Sequence, residues 1–269
     1  MTSNKQRVEV CFSPNLYPLY AKTFAFDWVV VIDVLRATSA MITGLAHKVK
    51  AFVPIANLED AYRYQQQGYI VAAERNGQTL EDFPLGNSPL SYINGEYKDE
   101  TIVITTTNGT QGISIAAQDE KQILLASFIN LSAVIEQLIH YESSVLILCS
   151  GWKNKFNMED TVCAGALVHE LIKSGIYFFE EDSSLAAEHL FLSMEKNYKT
   201  IFKASSHRKR LQNLGLQEDI KYCLKMNILN TVPVWYQKKI MDLALIKEDF
   251  EFFLHQKNLA WVQKNEILV

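Results

Sequence analysis

The sequence predicts an α/β fold, a mainly parallel sheet covered by helices, followed by a helical C-terminal portion. Three observations lead there. The run WVVVI at 28–32 is apolar throughout and lacks the alternation of a half-exposed strand. It therefore reads as a strand buried on both faces, as strands are in parallel sheets under helices. Five β-like runs end in polar or acidic residues, at Asp33, Glu74-Arg75, 105–108, Ser127 and Ser150. A helical pattern follows each, directly or after a loop. Beyond Gly175 strand character fades, and 183–225 and 242–262 read as helices.

Taken in order, 7–12 alternates and reads as a first strand at an edge, and 13–27 as a loop. The central strand ends at Asp33, and Met41, Ile42, Leu45 and Ala46 then recur at helical spacing, giving a helix over about 38–48. A short strand at 50–55 precedes a helix at 57–67, with Asn57 as N-cap, Glu59 and Asp60 in the first turn and Gly68 as the stop. The strand 69–73 runs into 76–97, which is rich in Gly, Pro, Asn and Ser. A loop of that length in a compact domain is usually functional, and Phe83 and Leu85 argue that it is packed. Strands at 101–105, 122–126 and 144–149 follow, each with its helix, the last from about 159 to 174. A final strand is expected at 231–237. Residues 1–240 read as one compact unit and 241–269 as a helical tail.

Composition narrows the function. A chain of 269 residues with 48% hydrophobic and 21% charged content can bury a sizeable core, and its net charge of -4 implies no basic face for nucleic acid. The opening MTSNKQRVEV lacks the apolar core of a signal peptide. No apolar run approaches the about 18 residues of a membrane span. A cytoplasmic protein with no membrane partner is expected. Cys11, Cys149, Cys163 and Cys223 form no C-x-x-C, and Cys149 and Cys163 read as buried thiols. The six histidines show no metal-binding spacing, and the run at 207–210 reads as a solvated face.

If the strands are mainly parallel, the five exits share one sheet edge, where α/β folds bind ligands. That would gather Asp33, Arg36, Glu74, Arg75, Thr106, Thr107 and Asn108, with Glu159-Asp160 at the start of a neighbouring helix. Converging carboxylates without His or Cys are hard oxygen ligands and suit Mg²⁺. TTTNGTQG at 105–112 reads as a phosphate cradle at a helix N-terminus, and Arg36 and Arg75 as forked donors to anions. Plainer readings fit the same residues: Glu159-Asp160 suits a helix dipole, and TTTNGT a tight turn. Established phosphoryl-transfer signatures are missing. There is no P-loop, Leu35 stands where a haloacid-dehalogenase-type phosphatase has its second aspartate, and Lys155 where a cysteine phosphatase has its arginine.

The motifs IDVLRATSA (32–40), AERNG (73–77), LGNSP (85–89), TTTNGTQG, SFIN (127–130) and MEDTVCAGAL (158–167) together resemble the 2-phosphosulfolactate phosphatases. Weaker similarity runs through SHRKRL (206–211) to Val232-Pro233, so the resemblance spans roughly residues 8–235. It implies a three-layer α/β/α fold with a mixed sheet. It also implies Mg²⁺-dependent hydrolysis of (2R)-phospho-3-sulfolactate to 3-sulfolactate and phosphate, a step of coenzyme M biosynthesis in methanogens. Three departures stand out: Trp152 replaces a small or hydroxyl residue, LEDFP precedes LGNSP where glycines are expected, and Asn227–Asn230 replaces an aspartate-bearing stretch.

Combining residues and resemblance, Asp33, Arg36 and Glu159 are the catalytic candidates, and Asp33, Glu74 and Asp160 the metal candidates, with Glu159 either ligand or base. Arg36, Thr38, Arg75, Asn87, Ser88, Thr106, Thr107, Asn108, Gly109 and Thr110 are the candidates for holding a small anionic phosphorylated substrate. Two alternatives stay open, a phosphatase of another phosphorylated 2-hydroxy acid and a non-catalytic anion binder on the same fold. A homodimer is likewise left open.

Overall fold

The computed structural model describes residues 5–194 and 205–266, the last nine of these by backbone alone. Eleven strands form one sheet: β1 (Gln6–Cys11), β2 (Trp28–Ile32), β3 (Ala51–Pro54), β4 (Ile70–Arg75), β5 (Gln78–Thr79), β6 (Thr101–Thr105), β7 (Gln122–Ala126), β8 (Val145–Cys149), β9 (Tyr177–Phe178), β10 (Pro233–Tyr236) and β11 (Lys239–Asp242). The order is β5-β4-β6-β3-β11-β10-β7-β2-β8-β1-β9. The helices are α1 (Tyr17–Thr23), α2 (Ala37–Ala46), α3 (Leu58–Gln66), α4 (Gly109–Gln118), α5 (Leu131–Tyr141), α6 (Met158–Lys173), α7 (Asp182–Met194), α8 (Ser206–Asn213), α9 (Gln217–Cys223) and α10 (Leu243–Glu266).

β2 is buried at all five positions, as its unbroken apolar run requires. Its side chains alternate between two cores. Trp28, Val30 and Ile32 join Val134 and Leu138 of α5, Val162 and Leu167 of α6 and Phe250 of α10. Val29 and Val31 join Met41 and Leu45 of α2 and Ile113 of α4. Helices therefore cover both faces, the three layers expected. Each fully buried aliphatic side chain contributes about 1.5–3 kcal/mol. The Asn57 cap forms as expected, its side chain accepting from the Asp60 N–H at 2.9 Å. Where a loop was expected at 13–27, α1 forms, and the edge strand beyond β1 is the two-residue β9.

The sheet is mixed in an instructive way. β3, β6 and β4 form one parallel block and β7, β2, β8, β1 and β9 another. The β10–β11 hairpin lies between them, antiparallel to β7 through Val234↔Leu124 and to β3 through Ile240↔Phe52. The two blocks thus run in opposite senses. The expectation of one shared parallel edge is corrected: the exits of β2, β7 and β8 are neighbours, and those of β4 and β6 form a second group. The expected strand at 231–237 is β10 at the centre of the sheet, and β11 lies beside it. α10 is kinked at Ile246, and its Phe250 is buried 6.1 Å from the ring of Trp28. Among the described residues, no helix is long and apolar enough to cross a membrane.

Candidate active site

The two groups of exits meet at Asp33. This carboxylate follows β2, lies 5% exposed, and accepts from the Ala37 N–H of α2 at 3.3 Å through Oδ1. Its Oδ2 faces Gly109 at the start of α4, where a side-chain carbon would stand 2.8 Å from it. The glycine is needed for this close approach, not for its backbone freedom. Thr38 anchors the turn: its hydroxyl accepts from the Asp33 N–H at 3.0 Å and lies 2.9 Å from both the Asp33 and the Ala126 carbonyl oxygens. So engaged and wholly buried, Thr38 positions Asp33. The Leu35–Arg36 peptide bond in this turn is cis.

Asp160 lies in the first turn of α6, with no exposed surface. It accepts from Val34 N at 2.9 Å, Gly151 N at 3.0 Å and the Asn157 amide at 2.9 Å, tying the β2 exit to the β8 exit. Burial, and then the nearby charge of Asp160, push the Asp33 carboxyl up to about 8. Burial, and then the charge of Glu159, raise Asp160 to about 8 as well. Two carboxyl groups so placed favour sharing a proton or a cation.

Glu74 supports the other group. It accepts from Gly77 N, from Thr107 N at 3.1 Å and from the Thr107 hydroxyl at 3.0 Å. Thr106 and Thr110 bond each other, Thr110 N reaching Thr106 Oγ1 at 3.2 Å. Asn108 accepts from Lys153 N at 2.9 Å. The cradle at 106–110 therefore stands at the N-terminus of α4 beside Asp33, an end that favours anions. Asn87 is buried with its Oδ1 unpartnered among the described residues, and Ser88 donates to Asp219 at 2.7 Å.

The arginines differ from expectation. Arg36 is 3% exposed, pairs with Asp219 of α9 and donates to the Gly77 carbonyl at 2.7 Å. Arg75 donates to the Glu74 carbonyl at 2.6 Å and to Thr105 at 2.9 Å, and burial lowers its pKa. Both fasten loops. Glu159 is buried against His207 Nδ1 and accepts from Ser205 at 3.3 Å. Among the described residues no three His, Cys, Asp or Glu side chains stand close enough to hold an ion together. The expected trio of Asp33, Glu74 and Asp160 is thus not a ready-made ligand cluster: protein donors hold Glu74 through Gly77 and Thr107, and Asp160 through Val34, Gly151 and Asn157. The residues still fit a hard cation held by one or two carboxylates with water and substrate oxygens. No hydrogen bond from the described residues reaches Asp33 Oδ2.

Sequence reasoning missed His207, Arg210 and Asp219. The run at 207–210 is no solvated face: His207 is 4% exposed, and the Nε and Nη2 atoms of Arg210 are buried. One signal was available, since His207 and Leu211 share a face of α8 at i,i+4 spacing, and both are buried. These residues border a cavity of about 490 Å³ lined by Trp152, Lys155, Asn157, Ser205, His207 and Arg210, among others.

A profile of the 2-phosphosulpholactate phosphatases matches residues 11–238. A relative from Thermotoga petrophila described as "probable 2-phosphosulfolactate phosphatase" is 42% identical over 204 residues, 76% of this chain and 87% of the relative. One from Caldanaerobacter subterraneus with the same description is 38% identical over 209 residues, 76% and 86% of the two chains. One from Clostridium novyi, again so described, is 34% identical over 219 residues, 79% and 90%.

Proposed function

This chain belongs to the 2-phosphosulfolactate phosphatase family, and we propose that it hydrolyses (2R)-phospho-3-sulfolactate to 3-sulfolactate and phosphate with Mg²⁺ as cofactor. One observation carries the reading: a buried carboxylate, Asp33, with Oδ2 packed against Gly109 at the N-terminal end of a helix. A phosphoryl group bound at that end, alongside Asp33, meets helix dipole and hydroxyls together with a carboxylate. Asp33, braced by Asp160 at the β2 and β8 exits, would hold the cation, which when bound supplies Lewis-acid stabilisation of the phosphoryl charge.

The chain's own residues supply the rest. Thr38 and the Ala37 N–H fix the Asp33 side chain in one orientation. Glu74 fixes the 106–107 backbone and so the cradle. Arg36 joins the β2 turn to Gly77 and α9, enclosing the site in protein. His207, oriented by Glu159, lines the adjoining cavity and can move a proton at Nε2. A cytoplasmic location is in keeping with four cysteines held as free thiols.

Asp33→Asn tests the assignment, since it keeps size and removes charge. Turnover of phosphosulfolactate should vanish while thermal unfolding stays cooperative, and EDTA should silence the wild type until Mg²⁺ is restored. Near wild-type turnover in Asp33→Asn, or full activity in a metal-free preparation, would overturn the corresponding part.

A further inference from the structure

Arg36 and Arg75, the two arginines at the strand exits, are engaged by protein groups. A third is not. Arg210 stands on α8, three residues beyond His207, with its guanidinium carbon 4.4 Å from the centre of the Trp152 ring. Stacking on an indole holds the fork flat and removes one face from water. The Nε and Nη2 atoms are buried and have no hydrogen-bond partner among the described residues. An unpaired buried N–H of a charged group is costly unless something accepts from it.

Its surroundings indicate what would accept. Arg210 lines the cavity of about 490 Å³, and Lys155 and His207 line it too. Among the described residues no carboxylate lines it, the nearby Glu159 being taken by His207 and Ser205. The cavity is joined to the phosphate site through two residues. Asn157 lines it and donates to Asp160. His207 lines it and bonds Glu159, the neighbour of Asp160 in the first turn of α6. The ring of Trp152 packs against both Arg210 and His207, with its centre 4.8 Å from that of the imidazole. Trp152 thus forms the wall that aims the guanidinium.

We propose that Arg210, braced on Trp152, is the specificity-determining residue that binds the second anionic group of the substrate, a sulfonate or carboxylate carried beside the phosphate. This rests on the phosphatase reading above and extends it: the phosphate is held at the start of α4, and the anionic tail in the cavity of Trp152. A planar oxyanion or a sulfonate presents two oxygens to the Nε–Nη2 edge, the bidentate match that lysine cannot make.

The test compares wild type, Arg210→Met and Arg210→Lys on four phosphate monoesters. Phosphosulfolactate carries both extra anions, phospholactate only carboxylate, 2-phosphoethanesulfonate only sulfonate, and an aryl phosphate neither. Arg210→Met keeps a side chain on the indole without charge, and its kcat/KM should fall roughly 10- to 100-fold on phosphosulfolactate, as expected for a charged hydrogen bond. It should change less than about twofold on the aryl phosphate. Loss on 2-phosphoethanesulfonate but not phospholactate assigns the sulfonate, and the reverse assigns the carboxylate. Arg210→Lys should recover only part of the loss, and it serves in place of Met if that variant does not fold. Equal losses on all four substrates, or none, would overturn the proposal.

A binding readout separates this idea from the phosphatase reading. The thermal shift given by 3-sulfolactate should be present in wild type and absent in Arg210→Met, while that given by inorganic phosphate persists in both. If phosphosulfolactate is not turned over yet the sulfolactate shift still depends on Arg210, the activity reading fails and the subsite stands. A sulfolactate shift equal in both proteins, or lacking in wild type, overturns the subsite.

Discussion

Gly109→Ala is the smallest change that reaches the centre of the site. The added carbon would stand 2.5 Å from Ala37 Cβ and 2.8 Å from Asp33 Oδ2. Comfortable carbon contacts are about 3.5–4.0 Å, so roughly 1 Å of movement is demanded on each side. The backbone at Gly109 is not left-handed, so alanine is conformationally allowed and the effect is steric. Overpacking of this kind costs about 1–3 kcal/mol. In a chain this long each kcal/mol lowers Tm by about 2–4 °C. A displacement of about 1 Å at reacting groups can cost on the order of 100-fold in rate. Gly112 is the control, because its added carbon would meet Val31 Cγ1 at 3.1 Å and Ser150 Oγ at 3.3 Å without touching Asp33. Differential scanning calorimetry with phosphosulfolactate kinetics should show Gly112→Ala losing some stability and little activity, and Gly109→Ala losing both. Wild-type kcat/KM in a folded Gly109→Ala would refute the placement of the phosphate beside Asp33 at the start of α4.

Two further expectations concern protons. Burial holds the Cys149 and Cys163 thiols far above the usual range, so native protein at pH 8 should resist iodoacetamide at both, and both should label in urea; labelling at the rate of a free thiol would show a reactive cysteine. Asp33 and Asp160 titrate near 8 in the folded chain against about 4 unfolded, so between those values the native state holds more protons and loses stability as pH rises. In EDTA, Tm should therefore fall from about pH 5 to 8, less steeply in Asp33→Asn, and a Tm that rises through that window would contradict the buried pair.

Much of this fold is legible in the residues. The unalternating 28–32 run, the Asn57 cap and the polar exits follow local rules and fall where those rules put them. β11 was not legible for a local reason. Its hairpin turns at Gln237 and Lys238, with φ of 49° and 62°, where the usual signal is Asn-Gly or Asp-Gly. Without that signal a four-residue strand carrying Lys239 and Asp242 looks like the start of a helix. Yet it lies beside the central strand of the sheet and reverses the sense of one block. The site was half legible. Asp33, Asp160 and the 106–110 cradle come together as read, but Glu159-Asp160 divides its labour: Asp160 bonds the β2 and β8 exits, while Glu159 turns to His207.

The arginines show why the remainder was hidden. Sequence gives the charge and the place of a side chain, not its partner. Arg36 looked free because Asp219 is 183 positions away, and only α9 folding against the β2 turn closes the pair. Once closed, the pair is neutral and buried, and it offers a substrate little net field. Arg210 looked solvated because it lies in a basic run. Its stacking on Trp152 depends on the turn after β8 meeting α8, 58 positions apart. Anion recognition in this chain therefore passes from the arginines that sequence places at the strand exits to one delivered by a distant helix. The departure at Trp152 is what makes that delivery work, because a small residue there would leave the guanidinium without its ring.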